Sequence, residues 1–178
     1  MVFTLCMVQA VLSKGSGPDA YGPFWLSMTL VFILSVTSNV DMWLNISDDV
    51  NFASDLNALF TALWVVFSFS FGIPLISYFA LDCLGGKDVN VSFMQLFSLY
   101  GYSLATFLPA TALCVIPSLA VQWLSLLTAT AFSTGLIMRN LVGPIMQADQ
   151  KSARALLGWF AGCQLILLFV LKLCFYNH

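Results

Sequence analysis

The chain contains no glutamate, and its only histidine is the last residue, His178. Charged residues fill 8% of its 178 positions, where a water-soluble domain carries about 25%. Each shortage excludes something. With histidine confined to the terminus, a Ser-His-Asp or Cys-His arrangement lacks its base. The HExxH zinc site, the P-loop and the dinucleotide-binding fingerprint are all missing. Proteolysis within the bilayer by paired aspartates would need both at mid-depth, and Asp41 and Asp82 stand at the ends of apolar runs. The five cysteines, Cys6, Cys83, Cys114, Cys163 and Cys174, form no CxxC pair and no Cys–His grouping. Most lie in apolar runs and behave there as small hydrophobes. Cys83, just after such a run, is the one placed for palmitoylation. Basic residues form no block, and a net charge of −2 offers nothing to nucleic acid. The reading is therefore no enzyme, no metal and no cofactor.

What the chain has in abundance is apolar surface, at 60% hydrophobic and 15% aromatic residues. Disordered chains are poor in such residues, so lipid is the solvent that suits this one. A span needs ~20 mostly apolar residues, and the first two candidates run over about 24–44 and 56–81. At ~1.5 Å per residue the second reaches ~39 Å, so it must tilt or kink at Pro74. No charged residue lies between Asp88 and Arg139. As a single helix that stretch would be ~75 Å long, so it folds back, and Ile116-Pro117-Ser118 is the natural break. That gives spans over about 93–115 and 119–138, and the last covers about 155–176. The predicted fold class is all-α, an integral membrane bundle of five transmembrane helices at 21–178, preceded by a short cytosolic segment at 1–20. The first dozen residues are too short to span and lack the basic start of a signal peptide. They read as an interfacial segment, and a misassigned start codon would look the same.

Lys14, Lys87, Arg139, Lys151 and Arg154 all fall on the side of the N-terminus. Lys172 is left alone on the other, where it is expected to snorkel outward. Positive residues in short loops mark the cytosol, which places the N-terminus there and the C-terminus in the lumen. The sequons Asn90-Val91-Ser92, facing the cytosol, and Asn45-Ile46-Ser47, at the membrane edge, are both expected to stay unmodified. A small carrier or channel is the alternative function. Carriers mark their route with buried ionisable residues or helices broken at mid-membrane, and these spans hold no charge near their centres. A polar, water-filled path would favour that alternative; a closed, apolar interior would favour a scaffold.

Two short stretches stand out. In "PDAYGPFW", Pro23 suits the first helical position, where its missing N–H costs nothing. Asp19 lies near the positive end of the helix dipole, and Tyr21 and Trp25 are placed to anchor at the headgroups. In "SLYGYSLATFLPA", Gly101 and Ala105 make a small-xxx-small pair that lets helices approach closely. Tyr100 and Tyr102 bring hydroxyls that need partners.

Asp19-Ala20-Tyr21-Gly22-Pro23-Phe24-Trp25 also resembles the signature of the YIPF (Yip-domain) Golgi membrane proteins, whose pattern has leucine where this chain has Ala20. Tyr100-Gly101-Tyr102-Ser103, followed by Pro109 and Ile116-Pro117, is similar to the family's third-span signature. Arg139-Asn140-Leu141 with Pro144 matches before the last span. The resemblance covers about residues 18–176 in order. It implies a non-enzymatic protein of the Golgi and endoplasmic reticulum that acts in vesicle-mediated transport. The partners it implies, besides the lipid bilayer, are Rab-type small GTPases and other YIPF proteins, as homo- or hetero-oligomers. Family members carry a long cytosolic segment ahead of the first span, and here residues 1–20 stand in its place. The candidate functional residues, structural or partner-binding, are Asp19, Tyr21, Gly22, Pro23, Gly101 and Tyr102.

Overall fold

The computed structural model describes residues 20–45, 56–85, 91–116, 118–145 and 150–175, and every regular element among them is helical. Helix α1 spans Tyr21–Asn45. Helix α2 is composite, with α-helical segments Leu56–Phe67 and Ile73–Gly85 joined by a π-helical turn, Ser68–Gly72. Helix α3 runs Phe93–Ser103 and Phe107–Leu113 around a 3₁₀ turn, Leu104–Thr106. Helices α4 and α5 span Leu119–Ile145 and Gln150–Phe175. All five are long and apolar enough to cross a membrane. The protein is an all-α, multi-pass membrane bundle.

Local sequence explains how each helix begins and bends. Ser92 and Gln95 form a reciprocal capping box at the start of α3, in which the Ser92 N–H donates to Gln95 Oε1 at 3.0 Å. Pro74 has no N–H to give, and its ring crowds the carbonyl four residues back, so the turn before it widens to π geometry. Pro109 does the same to α3, and there the preceding turn tightens to 3₁₀ instead. The Thr106 hydroxyl donates to the Ser103 carbonyl at 2.8 Å within that turn. Helix α4 continues past Met138 through Arg139, which is exposed, and Asn140, whose side chain donates to the Leu136 carbonyl at 2.8 Å.

The bundle is arranged around α3. Of the apolar window of α3, 78% is buried, against 28–44% for the other spans. It packs on α1, α2 and α4, while α5 packs on α4 and α2. Leu30, Leu34, Leu96, Phe107, Leu126 and Phe160 fill the centre. Phe32, Phe60, Trp64, Ile166 and Leu173 point outward. In water such a surface would drive aggregation; in a bilayer it is the contact with lipid. Lipid tails are as apolar as leucine, so van der Waals fit and polar contacts must decide which helix faces meet.

Candidate functional site

The first turn of α1 is built from its own chemistry. The Ala20 carbonyl accepts the first helical bond, from the Phe24 N–H at 3.2 Å. Pro23 is therefore the third helical residue rather than the first. It is still tolerated, because N–H groups in the first turn have no intrahelical acceptor. Asp19 lies outside the described residues. Tyr21 and Trp25 project outward, 71% and 53% exposed, with rings edge to face at 6.0 Å. That is the disposition of amphipathic rings at a membrane boundary.

Gly22 and Pro23 turn inward, and there they meet the second stretch. A Cβ at Gly22 would stand 2.8 Å from Tyr102 Cζ and closer still to its hydroxyl. A Cβ at Gly101 would stand 2.9 Å from Pro23 Cα. Each glycine thus makes room for a bulky neighbour of the other: Tyr102 sits over Gly22, and Pro23 sits over Gly101. Of the candidate residues, the structure brings Gly22, Pro23, Gly101 and Tyr102 into one contact between α1 and α3, while Tyr21 points away from it. Ser27, one turn further along α1, donates to the Pro23 carbonyl at 2.9 Å and pairs with Ser70 of α2 at 3.1 Å. The contact is thereby tied to the π-helical turn.

Tyr100, fully buried, carries the second stretch into α2 and α5. Its hydroxyl lies 3.3 Å from Ser77 Oγ, which also accepts the Trp159 indole N–H at 3.3 Å. Its ring packs edge-on against Phe69 and tilted against Phe160. Neither Ser77 nor Trp159 could be picked out beforehand, because isolated serines and tryptophans are ordinary in spans.

A second polar group lies at the opposite end of the bundle. The Lys172 ammonium donates to Gln122 Oε1 at 2.6 Å, and Gln122 Nε2 donates to Asp41 Oδ1 and to the Cys114 carbonyl, both at 3.3 Å. Lys172 is 5% exposed and Asp41 2%. Lys172 therefore does not snorkel: it bends into the bundle, because Gln122 and Asp41 offer a charged hydrogen-bonding partner that the nearby lipid boundary does not. The signal available in sequence was two opposite charges, Asp41 and Lys172, inside otherwise apolar runs.

The interior is also less apolar than the scaffold reading expects. Ser103, Thr106, Thr111 and Thr130 are buried and hydrogen-bonded to carbonyls, and buried Ser133 and Gln164 sit among them. A cavity of about 330 Å³ lies between α2 and α5, lined by Trp64, Ser68, Phe69, Ile73, Ile166 and Val170. Since Trp64 and Ile166 are largely exposed, it opens on the lipid-facing flank rather than along the bundle axis. No group of three metal-ligating side chains occurs among the described residues.

The match to the Yip1 domain spans residues 9–172, taking in both stretches and all five helices. The chain belongs to the Yip1 domain family. Among curated relatives it is similar to "Protein YIPF1 homolog" of Dictyostelium discoideum, 31% identical over 90% of this chain and 46% of the relative. It is also similar to "Protein YIP5" of Saccharomyces cerevisiae, 27% identical over 62% of this chain and 42% of the relative. The chain thus spans less than half the length of either relative. No solved structure matches it. Within this Yip1 domain, the Gly22–Tyr102 and Gly101–Pro23 contacts join the two stretches on which the family resemblance rests.

Proposed function

We propose that this Yip1-domain protein is a non-enzymatic scaffold of Golgi and ER–Golgi membranes, acting in vesicle-mediated transport. The interlocked glycines present the start of α1 on the cytosolic side, where Rab-type GTPases or other YIPF proteins bind. The carrying observation is that Tyr21 and Trp25 are exposed on a turn whose next two residues are locked into the buried centre. A surface held so firmly is a fixed docking feature, since little ordering entropy remains to be lost on binding. The cytosolic assignment of that end rests on Lys87, Arg139 and Arg154 flanking the same side of the bundle.

The test compares Tyr21→Phe and Asp19→Asn with the parent for Golgi localisation and for GTPase or YIPF proteins that co-purify. Normal insertion with reduced partner recovery supports the reading. Unchanged recovery in both variants leaves the turn as a helix start and nothing more.

A small carrier or channel is the second reading, favoured by the buried Asp41 and Lys172 and by the helices interrupted before Pro74 and Pro109. Ion or proton flux in proteoliposomes above that of protein-free vesicles would establish it.

A further inference from the structure

We infer that Asp41, Gln122 and Lys172 form a proton-sensitive clasp that closes the Asn45 end of the bundle and opens when Asp41 is protonated. The argument starts from Gln122, which is 5% exposed on the first turn of α4. An amide has one accepting and one donating end, and here each faces a group of matching charge. Its oxygen takes the Lys172 ammonium of α5 at 2.6 Å, and its nitrogen gives to the Asp41 carboxylate of α1 at 3.3 Å. The same nitrogen gives to the Cys114 carbonyl at the end of α3. Four helices therefore converge on one amide.

The clasp is also where α1 reaches α5. One turn before Asp41, the Ser38 hydroxyl donates to the Phe175 carbonyl at 3.4 Å. The other end of the bundle is held differently, by the steric fit of Gly22 under Tyr102 and Gly101 under Pro23. That fit contains no group whose charge changes in the acid range. Loss of the clasp would therefore part the helices at one end only, with the glycine contact as the fixed end.

Protonation is the natural trigger because the pair is buried. With Asp41 neutral, Lys172 is left as an uncompensated cation inside the bundle, and removing one partner of a buried pair is strongly unfavourable. Water must then reach the ammonium, or the end of α5 must move outward. The sign follows: the clasp holds at pH above the titration of Asp41 and is lost as pH falls through it. The titratable groups facing Asp41 are Lys172 from α5 and the Cys114 thiol at the end of α3, which pairs with Ser125 Oγ at 3.1 Å. On α2, the first titratable residue after Leu56 is Tyr78, at the opposite end of that helix.

Cys114, fully buried beside Gln122, supplies a built-in reporter. Cys6, Cys83, Cys163 and Cys174 are replaced by alanine, and the full chain is placed in lipid nanodiscs. The rate of reaction with 4,4′-dithiodipyridine, which attacks thiols at acid pH, is measured between neutral and mildly acid conditions. Each rate is divided by that of a short cysteine peptide at the same pH, which removes the thiol's own pH dependence. In the parent the ratio should rise about tenfold per unit fall in pH above the Asp41 midpoint, because the protonated fraction rises by that factor. Asp41→Asn should give a high ratio that no longer depends on pH. The double variant Asp41→Asn with Lys172→Gln, which buries no charge, should return the ratio to a low and pH-independent value. A parent ratio that stays flat across pH overturns the clasp, as does an Asp41→Asn variant that protects Cys114 as well as the parent. If the double variant exposes Cys114 as fully as Asp41→Asn does, the exposure reflects damaged packing rather than an unpaired charge, and the proposal fails. The clasp does not depend on the scaffold reading.

Discussion

Tyr102 lies so close over Gly22 that no side chain fits between them, and it is itself 8% exposed and held by its surroundings. Gly22→Ala should therefore lower thermal stability in detergent by ~1–3 kcal/mol, the usual cost of overpacking. Adding Tyr102→Leu to Gly22→Ala should recover part of that loss, giving a favourable coupling in the double-mutant cycle. Additive losses would show that the two residues do not touch.

Gly101→Ala should cost more than Gly22→Ala. At Gly22 the obstacle is the far end of a side chain, whereas at Gly101 it includes the Pro23 backbone, with Cα 2.9 Å from the added Cβ. Moving a helix axis is harder than turning a ring. Equal unfolding temperatures for the two variants would contradict this order.

Gly158 is the contrasting case. A Cβ there meets nothing within 4 Å, and glycine within a helix is less stable than alanine by roughly 0.5–1 kcal/mol. Gly158→Ala should thus raise thermal stability slightly. A clear loss in the membrane would mean that another chain covers that face of α5.

Tyr100→Phe tests the link from α3 to α2 and α5. The ring packing on Phe69 and Phe160 is kept, and only the hydroxyl beside Ser77 is lost. Ser77 retains the Trp159 donor, so the expected loss is about 0.5–1.5 kcal/mol, the net value of one hydrogen bond. Thermal unfolding of Tyr100→Phe together with Ser77→Ala should show the two changes to be less than additive.

The charge asymmetry of the loops predicts that engineered cysteines at positions 86–90 and 146–149 react with impermeant reagents on intact, right-side-out Golgi vesicles. Cysteines at 46–55 should stay protected until the vesicles are opened. The reverse pattern would invert the proposed orientation.

Much of this protein was legible as sequence. Apolar runs matched to bilayer thickness, with Pro117 between two of them, define five spans because length and composition alone decide whether a helix can cross lipid. Ser92 and Gln95 announce the start of α3, and Pro74 and Pro109 mark where α2 and α3 depart from α-helical geometry. Those are local effects, settled within a turn or two of the residue that causes them. The meeting of Gly22 with Tyr102, and of Gly101 with Pro23, was not legible. Nor was the inward turn of Lys172 toward Gln122 and Asp41. Both depend on how each helix is rotated about its own axis. A span that is hydrophobic all round carries no polar face to set that rotation, so close packing at glycines and a few buried polar pairs decide it, and these exist only once the helices have assembled.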